Sequence, residues 1–132
     1  MLDTIWLEFC MVGLFGYVVP GAGHFAARIK NNEKAFTQVT GEKLFYGTLN
    51  VKVDVLIPIK EHFRMRGSEI EEPLYDFLFE VCKVNGVWAY RVKPLNLLSA
   101  RGGHGDNVIE LVSSQKIPDV NAGAKVQVMF FR

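Results

Sequence analysis

Two runs rich in β-branched and aromatic residues, Tyr75 to Val84 and Val87 to Val92, meet at the dipeptide Asn85-Gly86. Asn-Gly is the strongest short hairpin signal, because a type I′ turn needs positive φ at both central residues and these two types tolerate it. The middle of the chain is therefore committed to antiparallel pairing, and any fold assigned to it has to continue that sheet. Alternation sets Phe77, Phe79 and Val81 on one face of the first arm, and Trp88, Tyr90 and Val92 on one face of the second. Rings so placed ordinarily fill a core, although Trp88 and Tyr90 are also placed to stack on a planar ligand.

The rest of the sequence supplies partners for this hairpin. Val12 to Val19 reads as a strand with Gly13 and Gly16 as bulge or bend sites, broken by Pro20-Gly21-Ala22-Gly23. Thr48 to Val53 alternates polar and apolar, and Asp54 to Pro58 is expected to prolong it. Val108 to Val112 and Lys125 to Phe130 form a last pair joined through Ser113 to Ala124, with Ile117 to Gly123 as a turn and a tight bend. Asn31, Asn32 and Glu33 ahead of Ala35, Phe36 and Val39 predict a short helix over 30–40, capped by Asn and ended near Gly41. The charged stretch Lys60 to Pro73 reads as an exposed loop or lid. Strands with short helices and no βαβ alternation point to a small closed barrel.

Composition sets the outer bounds. The 132 residues suit one domain, with the barrel over about 12–130 and residues 1–11, helix or strand, as an N-terminal extension. A hydrophobic fraction of 49% excludes a disordered chain. Fifteen Lys and Arg against 14 Asp and Glu give a net charge of +1, so no nucleic-acid or membrane partner is expected, although a local basic pocket is compatible with it. A monomer is expected. Cys10 and Cys82 are isolated in apolar runs and read as free buried thiols, which favours a reducing, cytoplasmic setting. Asp3 precedes and Glu8 interrupts the apolar run from Ile5 to Val19, which falls short of the ~20 apolar residues that span a bilayer.

The stretch with the most chemistry is Tyr46 to Val53. On a strand, Leu49, Val51 and Val53 enter a core while Thr48 and Asn50 stand side by side on the opposite face. A hydroxyl and an amide carbonyl so paired suit Mg²⁺, which keeps several waters and completes its octahedron with phosphate oxygens. Read from spacing alone, the same residues also make an edge strand with a solvated polar face. The Gly21-Ala22-Gly23 turn after a strand can present backbone N–H groups to a phosphate, with His24 or Arg28 in reach, or be an ordinary turn. His104, in the Gly-dense loop from Ser99 to Asn107, has no second His or Cys near it in sequence.

Tyr46-Gly47-Thr48-Leu49-Asn50-Val51-Lys52-Val53 resembles the signature of the archaeal-type CTP-dependent riboflavin kinases. The resemblance extends over about Val12 to Phe130 and implies a mainly β fold with short helices, a small closed six-stranded cradle-loop barrel. It implies a phosphotransferase that moves the γ-phosphoryl of CTP to the ribityl 5′-hydroxyl of riboflavin, giving FMN and CDP. Thr48 and Asn50 would hold Mg²⁺. Gly21, Ala22, Gly23 and His24 would meet phosphate, Gln115, Lys116, Ile117 and Pro118 the cytidine nucleotide, and Glu110 the flavin. Two places depart from the family pattern. The Gly-rich loop is shorter, and a flavin-contacting Thr falls near Gly102, where Ser99 is the available substitute. No residue is marked as a general base, which a positioning-driven phosphoryl transfer does not require. A non-catalytic flavin- or nucleotide-binding domain on the same barrel is the competing class. A DNA-binding regulator on a related barrel is a third, which the near-neutral charge argues against.

Overall fold

The computed structural model describes residues 11–21, 24–55, 57–70, 75–95 and 107–132. Residues 1–10, Ala22, Gly23 and the loop carrying Ser99, Gly102 and His104 lie outside them. The described elements are β1 (Met11–Val19), α1 (Phe25–Asn31), α2 (Glu33–Thr40), β2 (Leu49–Val53), β3 (Phe63–Met65), β4 (Phe77–Val84), β5 (Val87–Pro94), β6 (Val108–Val112) and β7 (Lys125–Phe131). Every pairing is antiparallel, in the order β3-β4-β5-β6-β2-β1-β7, and β7 returns to β4. Six strands thus close in a ring, as expected, and β3 is a short seventh strand hung on β4.

β4 changes partner along its length. Phe77 to Phe79 pair with β3, whereas Cys82 to Val84 pair with β7. The Asn85-Gly86 turn has φ of 49° and 80°, the positive pair that the dipeptide predicts. Alternation then sorts side chains into two cores. Val51, Val53, Val84, Ile109, Leu111, Val128 and Phe130 fill the inside of the ring. Outside it, Phe77, Phe79, Tyr90, Val92 and Val112 are covered by the two helices and Met65. Phe25, Phe36, Phe77 and Phe79 are linked there by edge-to-face contacts with centroids 5.6–6.0 Å apart. Trp88, on the same face of the hairpin, escapes this cover and is 53% exposed.

Several expectations need correction. The helix expected over 30–40 is α2, with Asn32 at its N-cap position, but the Asn32 side chain makes no cap bond and its amide donates back to the Arg28 carbonyl at 3.0 Å, and a second helix not expected from the sequence, α1, ends at Asn31 just before it. Gly41 ends α2 with φ of 79°, as predicted. β2 stops at Val53, whose N–H makes the last rung toward β6 on the Asn107 carbonyl at 2.7 Å, and the described residues among Asp54 to Pro58 do not prolong the strand. The stretch from Lys60 is not an exposed lid in its described part, since it contains β3 and a 3-10 turn at Gly67–Glu69 and buries Met65, Gly67 and Ile70. Its charges are spent locally, with Arg64 joined to Glu61 at 2.8 Å and to Asp76 at 3.1 Å.

Candidate active site

The chain approaches β2 through residues 41–48, which are pinned from three sides. The Phe45 N–H donates to the Ser113 carbonyl at 2.8 Å, and the Gly47 N–H folds back on the Phe45 carbonyl at 2.9 Å. The Tyr46 hydroxyl donates to the carboxylate of Glu33 on α2, which also pairs with Lys43 at 3.5 Å. The Tyr46 bond holds the Glu33 carboxyl below the usual carboxylate range and raises the Tyr46 phenol in return.

β2 is not an edge. It is paired to β1 on one side and β6 on the other, with Val19, Asn50 and Glu110 in register across the three strands. Residues directly opposite one another share a face, so Asn50 and Glu110 project from the same side of the sheet. Asn50 is only 3% exposed, its amide nitrogen is 3.4 Å from the Thr48 hydroxyl, and its carbonyl oxygen is buried without a partner. An acceptor left this way costs about 1–3 kcal/mol, so it signals a missing donor or cation. Gly21 makes the arrangement possible: a Cβ there would lie 2.2 Å from the Asn50 amide nitrogen. Gly21 and the Asn50 side chain are therefore in contact, with no side chain between them.

Thr48 also lines a cavity of about 170 Å³, together with Phe45, Gly47, Leu49, Leu111, Ser113, Gln115, Lys116, Ile117 and Val120. Four of the residues singled out in the sequence, Thr48, Gln115, Lys116 and Ile117, meet on this one space. Pro118 is next in the chain but does not line it. Gly21, Asn50 and Glu110 do not line it, since Asn50 and Glu110 alternate with the lining residues Leu49 and Leu111 and project from the other face of the sheet, His24 is exposed just before α1, and Ala22, Gly23 and Gly102 lie outside the described residues. The wall is mostly apolar, with one cation and no acid. It is smaller than the roughly 300 Å³ at which clefts for whole drug-sized ligands begin, so it has room for only part of such a ligand.

Ser113 and Phe45 are the residues that sequence reasoning missed. The Ser113 hydroxyl donates to the Trp88 carbonyl at 2.8 Å and accepts the Gln115 N–H at 3.1 Å, while its carbonyl takes the Phe45 N–H. It ties the hairpin, the 113–120 connection and the approach to β2 into one wall. No three His, Cys, Asp or Glu side chains converge on a metal position among the described residues. Thr48 and Asn50 are nevertheless oxygen donors of the kind Mg²⁺ accepts, and the unpartnered Asn50 oxygen fits that use.

Among the described residues the chain is a small closed antiparallel ring with a mostly apolar cavity at the approach to β2 and with Gly21 packed against Asn50. No family model matches the chain. Among curated proteins it is similar to a riboflavin kinase of Thermofilum pendens, 32% identical over 133 residues, an alignment covering 88% of this chain and 57% of that protein. The chain thus spans little more than half the length of this relative.

Proposed function

We propose that the chain is a riboflavin kinase that uses CTP, transferring the γ-phosphoryl to the ribityl 5′-hydroxyl to give FMN and CDP. The bond from the γ-phosphorus to the bridging oxygen breaks, the bond to the 5′-oxygen forms, and the hydroxyl proton leaves to solvent. The observation that carries this reading is the buried Asn50 oxygen, unpartnered among the described residues, on a side chain whose nitrogen is 3.4 Å from the hydroxyl of Thr48, a residue that lines one cavity with Gln115, Lys116 and Ile117. The similarity to the Thermofilum pendens riboflavin kinase supports it independently.

In this reading Thr48 and Asn50 hold Mg²⁺, which neutralises charge on the transferring phosphates. Gly21 to His24 receive phosphate on backbone N–H groups, and Lys116 adds the one cation of the cavity wall. Gln115 to Pro118 hold the cytidine end, and Glu110, on the face of Asn50, orients the flavin. Phosphoryl transfer of this kind rests on positioning and charge neutralisation, for which the pinned approach to β2 is suited.

Purified protein incubated with riboflavin, Mg²⁺ and either CTP or ATP, followed by chromatography of the flavins, tests the proposal. FMN formed with CTP alone is the expected result. FMN formed equally with ATP removes the donor assignment, and flavin binding without product leaves a non-catalytic binder. Thr48→Ala and Asn50→Ala are each expected to lower turnover about 100-fold, and unchanged turnover in both removes the metal assignment.

A further inference from the structure

The outward face of β1 and β7 is not covered by the helices. Along β1 it carries Phe15 and Tyr17, 60% and 53% exposed, and around the ring it ends at Trp88. The register places Lys52 on one side of Tyr17 and Lys125 on the other, so a cation flanks the ring across three neighbouring strands. Lys125 also lies over Phe15, with its ammonium 4.8 Å from the ring centre, and Lys83 lies over Trp88 at 4.5 Å. Neither β1 nor β7 contains an acidic residue, and among the described residues none of these three lysines has a carboxylate partner. The near-neutral total charge conceals this face, because the acids are spent elsewhere.

We propose that this face binds single-stranded nucleic acid, with Phe15 and Tyr17 stacking successive bases and Lys52, Lys83 and Lys125 taking the phosphates between them. Phe15 and Tyr17 are two residues apart on one strand, about 7 Å, a step that an extended nucleotide can follow. Exposed rings with interleaved cations are what a sequence-tolerant strand needs, since every base offers a face and every linkage a charge. A second copy of the chain stacked face to face would bring lysine against lysine. A bilayer would favour rings gathered inside a rim of cations, whereas here Lys52 and Lys125 sit on either side of Tyr17. None of the six residues lines the cavity, so the inference does not depend on the kinase reading.

Fluorescence anisotropy of a dye-labelled oligothymidylate of about a dozen nucleotides, titrated with the whole chain at several salt concentrations, tests it. Saturable binding is expected, weakening with salt at a log–log slope of about −2, from three contacts at about 0.7 each on single strands. Phe15→Ser with Tyr17→Ser is expected to weaken binding by about tenfold or more, and Lys52→Gln to flatten the slope by about 0.7. Circular dichroism and urea melts that match the unsubstituted chain report that these variants are folded. No saturable binding at low salt overturns the proposal, as does binding that ignores the two ring substitutions. So does binding to phosphatidylserine vesicles, or self-association lost in Tyr17→Ser, without affinity for the oligonucleotide.

Discussion

At the scale of single residues, the site turns on whether anything larger than hydrogen can occupy position 21. A methyl group there would sit 2.2 Å from the Asn50 amide nitrogen, closer than any real contact, and the Asn50 side chain would have to move. Gly21→Ala is therefore expected to weaken Mg²⁺-nucleotide binding by about tenfold or more, with a stability loss of about 1–3 kcal/mol from overpacking. Calorimetric titration beside a urea melt separates the two, and full affinity in the variant would show that the turn and Asn50 are not one device. Thr48 and Asn50 were legible because alternation alone puts them on one face. That Asn50 would be buried was not, since its cover comes from Gly21, two residues past the end of β1. Ser113 carried no signal: a lone serine after a strand acquires its role only where three segments converge.

At the scale of elements, the local signals held wherever a residue type dictates backbone geometry, as at Asn85-Gly86 and Gly41. They failed between Lys60 and Ile70, where charge density suggested solvent and the structure has a strand. The cause is visible in Asp76, whose carboxylate accepts the Gly67 N–H at 2.9 Å and Arg64 at 3.1 Å, so the charges serve to dock the segment. The Gly67 bond first, and Arg64 with it, hold the Asp76 carboxyl below its ordinary value of 3.8. A depressed folded-state pKa means that the stabilisation is fully present above pH 3.8 and disappears as pH falls through the lower folded value. Hydrogen exchange at the Gly67 amide is expected to accelerate in that acid window beyond its intrinsic pH dependence. Asp76→Asn should remove most of the added pH dependence, and an unchanged profile in the variant would detach Asp76 from the docking of β3.

At the scale of the whole molecule, each ring strand was readable but its closure was not, because β4 and β7 pair over more than 40 residues of separation and nothing local records it. The closed ring creates a difficulty at one end. Glu80 is on the inner face with Cys82 and Val84, fully buried, and Cys82 beside it has a thiol pushed up to about 12 by burial. Glu80 is held by Arg132 through two bonds of 2.9 Å and by the Lys60 N–H at 2.9 Å. Arg132 also donates to the Pro58 carbonyl at 2.5 Å, and Arg91, opposite Glu80 in the ladder, donates to the Ile57 carbonyl at 2.6 Å. Burial lowers the Arg91 pKa. The group straps residues 57–60 across the end of the ring. Removing one partner strands a buried charge, so Arg132→Ala is expected to cost about 3–5 kcal/mol, whereas Arg132→Lys keeps a cation against Glu80 and should cost far less. Urea melts of the two variants give the comparison. If Arg132→Ala costs under about 1 kcal/mol, in the range of an exposed pair, the ring end is held by its apolar packing and the strap is incidental.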